Sequence, residues 1–572
     1  MNHVRQLIST RRRTQMNIEH MSAGSKRSPQ GLRLKLATLL FLTPFLVMLS
    51  TQSALGQGFK VTKLNAPGNT TGTFPLGVNT SQSVVGEYTN SSGAVVGFLY
   101  AGGKYANLTY PGSNNFTRAN GINDSNTIVG DFLGSDNFYH GYTYVKGTYT
   151  QYDVNKDVVS TSIFGINKAG HFVGIEGAEG FINIGGTVTE FYGSGSDLTY
   201  AYGVNSSNDV VGQYFDSSNR SHGFYRSASG NITEIAYPGA AQTSCSGISD
   251  SGEITCTYFD TSGNSFGFTY IKGKYALTDF PSTGGINSKG AYTGYYFGPD
   301  AVLFGYLASP QAFKLAKVTI PKEQQGLLYG VNNKGVSVGN YVGTDGKPHG
   351  MMISGGKVTN IDDKKGATTT CFGINSTNVI VGAYFDTAGN PRGFQYAAGK
   401  FTDIPGPGGA TSSEATGIND AGDIAGEFSD SSGNFHGFVL KSSKYTQLDV
   451  PGATESFAWG INKTGEVTMQ WSDPKGFLQS SLYNGKKYST IDVPGAFTTG
   501  VHSINTAGDI VFSWEDPYGV QHGALKKGNA YFIYDFPKSS NTGGEGINDS
   551  GLLVGHYTPV GKTLPQPYQG TE

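Results

Sequence analysis

Histidine recurs at one position of an internal repeat, and histidine is both a metal ligand and an acid–base group. The positions are His140, His222, His349, His436 and His522. Ligands of one zinc ion must converge at about 2.0–2.1 Å. These histidines fall on the third strand of separate units, and adjacent strands lie about 4.8 Å apart, so equivalent histidines should be roughly 15 Å apart. The spacing excludes a metal shared between units and predicts that each histidine caps a turn or packs on a ring.

Aspartate recurs where a turn begins between the second and third strands of a unit. The positions are Asp216, Asp260, Asp386, Asp430, Asp473 and Asp516. Glycosidase carboxylates need a partner within about 5–10 Å, which equivalent positions on separate units do not provide. Aspartate at this place in a turn usually accepts hydrogen bonds from its own backbone. We predict a turn role, with a calcium or catalytic role as the alternative.

Two neighbouring units differ from the others in ways that suit sugar binding. They read Trp471-Ser472-Asp473 and Trp514-Glu515-Asp516, so each places an aromatic ring beside acids. The tryptophans also occupy an aromatic column, which makes core packing the alternative. A further variable polar position on the second strand could carry specificity on a fixed scaffold. The candidate ligand-binding residues are therefore Trp471, Asp473, Trp514, Glu515, Asp516, Glu427, Glu87 and Asp131.

The sequence lacks the motifs of common reactions. It has no Ser-His-Asp grouping, no nucleophile elbow and no phosphate-cradling glycine loop with lysine. We therefore predict no catalytic residue, no metal ligand and no cofactor.

The elements that must position these residues come from a repeated Gly-Ile/Val-Asn triplet. Two degenerate copies, at 247–249 and 503–505, complete a set of twelve units, mostly 43 to 45 residues apart with two steps of 38. A period in this range indicates one supersecondary unit stacked many times. The intact copies begin at Gly77, Gly121, Gly165, Gly203, Gly285, Gly330, Gly373, Gly417, Gly460 and Gly546.

The unit at 415–452 predicts four short strands joined by turns rich in Asn, Asp and Gly. Its fourth connection is longer, so the triplet strand should be innermost. A glycine column on the second strand, two residues before an aromatic column, indicates close packing between neighbouring sheets. Four-stranded meanders repeated radially make a β-propeller, and the predicted fold class is all-β.

Two outer strands are longer than the others, and they mark where rings begin. They start at Phe59 and Phe313, with six triplets between them and six after the second. We therefore predict two tandem six-bladed propellers, at 57–309 and 310–572, each closed by its opening strand. The rivals are a single twelve-bladed ring and an open solenoid.

The residues resemble a known family. Gly-Ile-Asn-x-x-Gly-x-Ile/Val-Val-Gly followed by His-Gly-Phe, as at His222-Gly223-Phe224 and His436-Gly437-Phe438, is similar to bacterial extracellular HAF repeats, with Gly in place of Ala. The resemblance covers nearly all of the chain after residue 56. It implies an exported bacterial protein and implies no reaction.

Residues 1–56 have the character of a secretory signal. A basic lead precedes an apolar run from Leu36 to Leu49, which is short for a membrane span, and cleavage is predicted near Gly56. An uncleaved anchor is the alternative. We expect a secreted, extracellular or periplasmic protein with no membrane span in its mature form.

The net charge limits the classes of partner, and the cysteines bear on the cellular compartment. Residues 1–56 hold eight basic residues and one acidic residue, so the remainder has 40 − 8 = 32 basic and 42 − 1 = 41 acidic residues, a net charge of −9. An acidic chain without a basic stripe is not expected to bind nucleic acid. Cys245 and Cys256 could form a cross-hairpin disulfide in an oxidising compartment; the alternative is that the three cysteines are small buried hydrophobes.

These features favour an extracellular binding or interaction module whose ligand is a glycan or a protein. An enzyme acting on extracellular polysaccharide and a passive envelope or matrix component are the alternatives.

Overall fold

The computed structural model describes residues 57–572 except 156–159, 298–301, 321–324, 492, 494, 495, 497 and 517. The predicted signal segment, 1–56, lies outside these residues. The described part holds 47 strands and no helix, in ten four-stranded sheets and one seven-stranded sheet. The predicted all-β propeller fold is confirmed. No helix within the described ranges is long and apolar enough to cross a membrane.

In the first half of the chain, an opening strand is followed by five meanders and part of a sixth. The strands are β1 (Gln57–Leu64); β2 (Asn69–Val78), β3 (Val84–Asn90), β4 (Val95–Ala101), β5 (Lys104–Leu108); β6 (Thr117–Ile122), β7 (Ile128–Leu133), β8 (Tyr139–Val145), β9 (Thr148–Tyr152); β10 (Thr161–Ile166), β11 (Phe172–Glu176), β12 (Glu179–Ile184), β13 (Thr187–Phe191); β14 (Leu198–Val204), β15 (Val210–Phe215), β16 (Ser221–Arg226), β17 (Ile232–Ile235); β18 (Gln242–Ile248), β19 (Ile254–Phe259), β20 (Ser265–Ile271), β21 (Lys274–Leu277); β22 (Tyr292–Phe297) and β23 (Leu303–Ala312).

The second half repeats the plan. Its strands are β24 (Lys314–Lys317); β25 (Gly326–Val331), β26 (Ser337–Val342), β27 (Pro348–Ser354), β28 (Lys357–Asn360); β29 (Thr368–Ile374), β30 (Ile380–Phe385), β31 (Pro391–Ala397), β32 (Lys400–Ile404); β33 (Ser412–Ile418), β34 (Ile424–Ser429), β35 (Phe435–Lys441), β36 (Lys444–Leu448); β37 (Glu455–Ile461), β38 (Val467–Ser472), β39 (Leu478–Tyr483), β40 (Tyr488–Thr490); β41 (Thr498–Ile504), β42 (Ile510–Glu515), β43 (Gln521–Lys527), β44 (Ala530–Tyr534); β45 (Ser539–Ile547), β46 (Leu553–Pro559) and β47 (Gln566–Thr571).

The asparagine of the triplet folds the first turn and ties neighbouring sheets together. Directly after β33, the Oδ1 atom of Asn419 accepts hydrogen bonds from the backbone N–H groups of Ala421 (3.0 Å) and Asp423 (2.9 Å). Its Nδ2 atom donates to the carbonyl of Asn462 in the next sheet at 3.1 Å. The turn also needs Gly422, whose φ of 83° is left-handed.

In the second half these asparagine contacts run through all six sheets and return to their start. In the first half they link four of the six steps, and the two steps at residue 249 are joined by close backbone approach of Gly203, Gly247 and Gly285. Asn287 donates to the carbonyl of Asn79 at 2.8 Å, and Asn548 donates to the carbonyl of Asn332 at 2.9 Å. The innermost strands therefore surround a central channel in each half. We call these cycles of sheets the first ring and the second ring.

The glycine of the triplet is required by close approach of the inner strands. A Cβ atom added to Gly417 would lie 2.3 Å from the carbonyl oxygen of Trp459 and 3.1 Å from the Cα of Gly460, both in the next sheet. Neighbouring strands thus touch backbone to backbone around the channel.

The second glycine column has a different cause from the one the sequence suggested. A Cβ at Gly130 would lie 2.0 Å from the carbonyl oxygen of Arg118 and 2.8 Å from the ring of Tyr142, both in its own sheet. The inner strand β6 has a register shift between Ala119 and Gly121, next to this close approach. The constraint lies within a blade, so the interpretation as packing between neighbouring sheets is wrong.

The opening strand of each half pairs with the last meander of that half. β1 pairs antiparallel with β23, and β24 pairs antiparallel with β47. Strand β23 continues through Ser309 and Pro310 to Ala312, so the predicted boundary at 309/310 falls inside a strand.

The two rings share a sheet. The other edge of β1 pairs with β44, which gives the order β22-β23-β1-β44-β43-β42-β41. One buried cluster contains Val61 and Tyr306 from the first half together with Trp514 and Ile533 from the second. We call this region the seam.

Candidate ligand-binding channel

The residue before each triplet lines the channel of the second ring, where the triplet begins with glycine in five units and with Ser503 in the sixth. Because the glycine side of each strand is closed by its neighbour, the preceding side chain must lie on the opposite, open face. The surrounding space is about 570 Å³, open solvent included. The six side chains are Tyr329, Phe372, Thr416, Trp459, His502 and Glu545.

Aromatic rings form a nearly continuous arc on this wall. The ring centroids of Tyr329 and Phe372 are 5.3 Å apart, those of Phe372 and Trp459 are 6.3 Å apart, and those of Trp459 and His502 are 5.3 Å apart. The indole Nε1 of Trp459 is buried without a hydrogen-bond partner. The arc therefore offers flat apolar faces and an unused donor.

A carboxylate flanked by two imidazoles completes the wall. Glu545 lies 3.2 Å from Nδ1 of His502 and 3.3 Å from Nδ1 of His556. Neither nitrogen makes a hydrogen bond of good geometry. The three side chains are 6%, 12% and 15% exposed, for Glu545, His502 and His556 in that order, so they are desolvated but reachable from the channel.

Protonation of this group follows from burial and proximity. Burial lowers the pKa of His502, with Glu545 opposing that effect. Burial alone would raise the pKa of Glu545, but the two histidines outweigh it and the pKa lies below its usual value. At neutral pH the site therefore presents a carboxylate acceptor beside a neutral imidazole of His502.

Sequence reasoning missed this wall, although a signal for it exists. Each wall residue is followed eleven positions later by the variable residue of the second strand, as for Glu545 and His556. The first ring brings the same pair of positions together, since Tyr202 receives a 2.9 Å hydrogen bond from Gln213. These two positions, eleven residues apart, both differ in residue type from repeat to repeat, and together they mark the channel.

The predicted candidates Glu87 and Asp131 lie together in the first ring, beside Arg118. The guanidinium of Arg118 donates to both carboxylate oxygens of Asp131, at 3.0 and 2.6 Å, and lies 4.0 Å from Glu87. Burial, as the largest cause, raises the pKa of Glu87. Asp131 is fully buried and also accepts from Asn120, so it is committed to protein groups.

The other candidates are spread over three sheets. Glu427 is buried in β34 opposite Glu414. Trp471 packs beside the buried Met469 cluster, and its Nε1 atom has no hydrogen-bond partner. Asp473 accepts hydrogen bonds from the backbone N–H groups of residues 475 and 477, as expected for a turn.

Trp514, Glu515 and Asp516 lie at the seam. Trp514 is 1% exposed and stacks on His522 with centroids 4.8 Å apart. This agrees with the alternative stated from the sequence, in which the tryptophan packs in the core. Glu515 ends β42 and is half-buried, and Asp516 accepts from the backbone N–H groups of Tyr518 and Val520, both at 2.8 Å.

The recurring histidines and turn aspartates have the predicted turn and ring-packing roles. His222 stacks on Tyr214, while its Nε2 faces Asp216 at 3.2 Å and its Nδ1 faces Glu234 at 2.8 Å. The same arrangement, which we call a histidine clamp, joins the turn to the outer strand at His140, His349, His436 and His522.

No protein-family model matches the chain, and no curated protein sequence matches it significantly. Solved structures do match. The BP39L lectin of Burkholderia pseudomallei is 11% identical, with 58% of this chain and 95% of the lectin covered and a TM-score of 0.24. The six-bladed β-propeller lectin of Aleuria aurantia is 10% identical, with 56% and 95% covered and a TM-score of 0.27. A gluconolactonase of Xanthomonas campestris is 11% identical, with 46% and 90% covered and a TM-score of 0.30. At these values none of the three says what this chain binds.

Proposed function

We propose that this protein is an exported carbohydrate-binding module of two six-bladed propellers, and that its ligand enters the channel of the second ring. The observation that carries the proposal is the convergence of Tyr329, Phe372 and Trp459 with Glu545 on one channel wall. Ligand pockets are typically apolar and aromatic with a few placed polar groups, which is the character of this wall.

The aromatic arc supports a sugar as the ligand. A pyranose ring has an apolar face of C–H groups and an edge of hydroxyls, so it can stack on an aromatic ring while its hydroxyls meet polar groups. Trp459 and Phe372 supply such rings, and both are half-buried rather than sealed in the core. Tryptophan and tyrosine also combine an apolar body with a donor.

The polar side chains of the wall, Glu545 and His502, are suited to orient the sugar hydroxyls. The Glu545 carboxylate accepts hydrogen bonds, and a neutral imidazole both donates and accepts. Because these groups are largely desolvated, a ligand lacking the matching hydroxyl would leave them unpaired at a cost of about 1–3 kcal/mol. This cost gives the site selectivity among sugars.

Export is supported by the disulfide that joins Cys245 and Cys256 across β18 and β19. Disulfides persist in secreted and periplasmic proteins and are rare where thiols are kept reduced.

The acidic residues of the channel favour binding of a polysaccharide over its hydrolysis. Glycosidases use two carboxyl groups about 5–10 Å apart. Among the described residues beside the aromatic arc, Glu545 is the acidic one. Asp420 and Asp549 lie at the other end of the channel, where they accept hydrogen bonds from Ser376 and from Thr506 and Asn333, in that order. The chain is therefore proposed as a binding protein whose ligand leaves unchanged.

A glycan array probed with wild type and with Glu545→Gln tests the proposal. Glutamine has nearly the same shape but cannot accept at both oxygens as a carboxylate does. We expect wild type to retain a defined set of glycans and the variant to lose most of that signal. The absence of any retained glycan would contradict the proposal, as would equal retention by both proteins.

A further inference from the structure

One histidine clamp differs from the other four because both rings contribute to it. His522 of β43 lies between Asp516 and Asp535 of its own sheet. Asp279, from the first ring, adds a third carboxylate with Oδ1 3.9 Å from Nε2 of His522. The coordinating atoms of Asp279, Asp516 and His522 all lie within 4.8 Å of one another.

The imidazole of His522 is held with one nitrogen engaged and the other free. Its Nδ1 atom faces the two oxygens of Asp535 at 3.1 and 3.0 Å. Its Nε2 atom, 3.4 Å from Asp516, makes no hydrogen bond, although the side chain is 6% exposed. Stacking on Trp514 fixes the ring plane. A histidine whose Nδ1–H is bound by a carboxylate and whose Nε2 is free is oriented as a metal ligand.

The charge around this nitrogen is unbalanced. Asp279, Asp516 and Asp535 surround one imidazole, so the cluster carries negative charge even when the imidazole is protonated. Buried charges are costly unless they are paired or bound to metal.

The spacing agrees with a tetrahedral ion. Bond lengths of about 2.0–2.2 Å at tetrahedral angles place neighbouring ligand atoms roughly 3.3–3.5 Å apart. The Nε2–Oδ2 distance of 3.4 Å to Asp516 already has this value, and the 3.9 Å distance to Asp279 needs a shift of a few tenths of an ångström. Imidazole with carboxylates suits zinc-like ions rather than calcium.

We propose that Asp279, Asp516 and His522 form a divalent transition-metal site of the zinc class, which links the two rings at the seam. His522 binds through Nε2, each aspartate through one oxygen, and water takes the fourth position. Asp535 is a positioning residue that holds the imidazole.

Zinc titration of the metal-stripped full chain, without an affinity tag, tests the site by calorimetry. Wild type should bind one equivalent at the seam, and Asp279→Asn should weaken that affinity at least about 100-fold. Asp535→Asn should weaken it about 10–100-fold, as expected for a residue that orients a ligand. The matched control is Asp449→Asn, which should change nothing. It alters the equivalent clamp at His436, where Asp430 and Asp449 are the carboxylates that the described part of the chain places at the imidazole.

Cobalt(II) gives a second readout on wild type alone. A tetrahedral site should give visible absorption bands of high intensity, and zinc should displace them. Calcium and magnesium should not compete. The proposal is overturned if no stoichiometric equivalent binds, if Asp279→Asn leaves affinity unchanged, or if Asp449→Asn and Asp279→Asn have equal effects.

Discussion

The side-chain amide of Asn548 donates to the backbone carbonyl of Asn332, which lies 216 residues earlier in the chain. The contact is the last of six in the second ring, where each triplet asparagine donates to the next. In the first ring Ser249 interrupts the cycle, because Asn205 donates to Asp209 at 3.1 Å and the Ser249 hydroxyl accepts from the N–H of Glu253 at 3.1 Å. The triplet therefore closes a ring as well as folding a turn.

Replacing one ring asparagine with the residue found at position 249 should measure the contact. Asn419→Ser removes the buried bond to Asn462, whose carbonyl keeps only its turn bond from the N–H of Gly465. We therefore expect a loss of about 0.5–1.5 kcal/mol of unfolding free energy. Urea denaturation gives this value. The same substitution at the exposed Asn434 is the control and should cost under about 0.5 kcal/mol. Equal costs at the two positions would show that the ring contact adds nothing.

The shared seam predicts that the two rings unfold together. Ile533 is 1% exposed, pairs with Phe59 of the first half and packs in the cluster common to both. Ile533→Ala should cost about 2–5 kcal/mol and lower a single calorimetric transition. Ile184→Ala, at a residue 41% exposed, is the control and should have little effect.

The same seam bears on whether each half can fold alone. Six repeat units lie on each side of residue 312, which taken alone would favour halves that fold independently. The structure instead buries Trp514, Tyr531 and Ile533 partly against the first half. Residues 312–572 expressed alone should therefore expose this surface and aggregate or unfold. A soluble fragment with a cooperative melting transition would contradict the shared core.

The cysteines predict a definite thiol count. Cys245 and Cys256 form a disulfide, and Cys371 is a buried free thiol whose pKa burial raises. A thiol reagent should find no reactive group in the native protein and one after unfolding. Reduction of the unfolded chain should raise the count to three. Three thiols without reductant would mean that the disulfide does not form.

The histidine clamps predict a pH dependence. Burial disfavours the charged form of His349, but hydrogen bonds to Asp362 and Asp345 outweigh it and raise its pKa above the usual 6.5. Because the folded pKa is the higher one, the stabilisation is complete below the unfolded pKa and is lost as the pH rises through the folded pKa. The urea midpoint of wild type minus that of His349→Gln should therefore be largest near about pH 5.5 and shrink toward pH 9.

The control for this series is Ile184→Ala, which removes an exposed side chain that does not titrate, so the difference between wild type and variant should not follow the same trend. A difference that grows with pH for His349→Gln would contradict the assigned direction of the pKa shift.

The repeat made the fold predictable, because period, turn residues and the strands beginning at Phe59 and Phe313 are all local signals. Turn aspartates and clamp histidines followed from the same alignment. Two features were not predictable in this way: the contact between Asn548 and Asn332, and the pairing of β1 with β44. Both depend on which strand edges meet in space, and no local sequence pattern indicates that.

The channel wall was missed for a different reason. Trp514 was a ligand candidate because a tryptophan beside acidic residues suits sugar binding. In the structure its ring stacks on His522 instead. The informative position was the ordinary-looking residue before each triplet glycine, such as Trp459 or Glu545. The face of the strand on which this residue lies can be inferred only once it is known that the neighbouring strand covers the glycine face.

Titration of Trp459→Ala and Phe164→Ala with the glycan that wild type retains tests the central claim most directly. Phe164 precedes a triplet glycine in the first ring, as Trp459 does in the second, so the pair alters the same position in two channels. Calorimetry should show at least about 10-fold weaker binding for Trp459→Ala, about 1.4 kcal/mol, and wild-type affinity for Phe164→Ala. Wild-type affinity for Trp459→Ala in a folded protein would contradict the assignment of the ligand to the second channel.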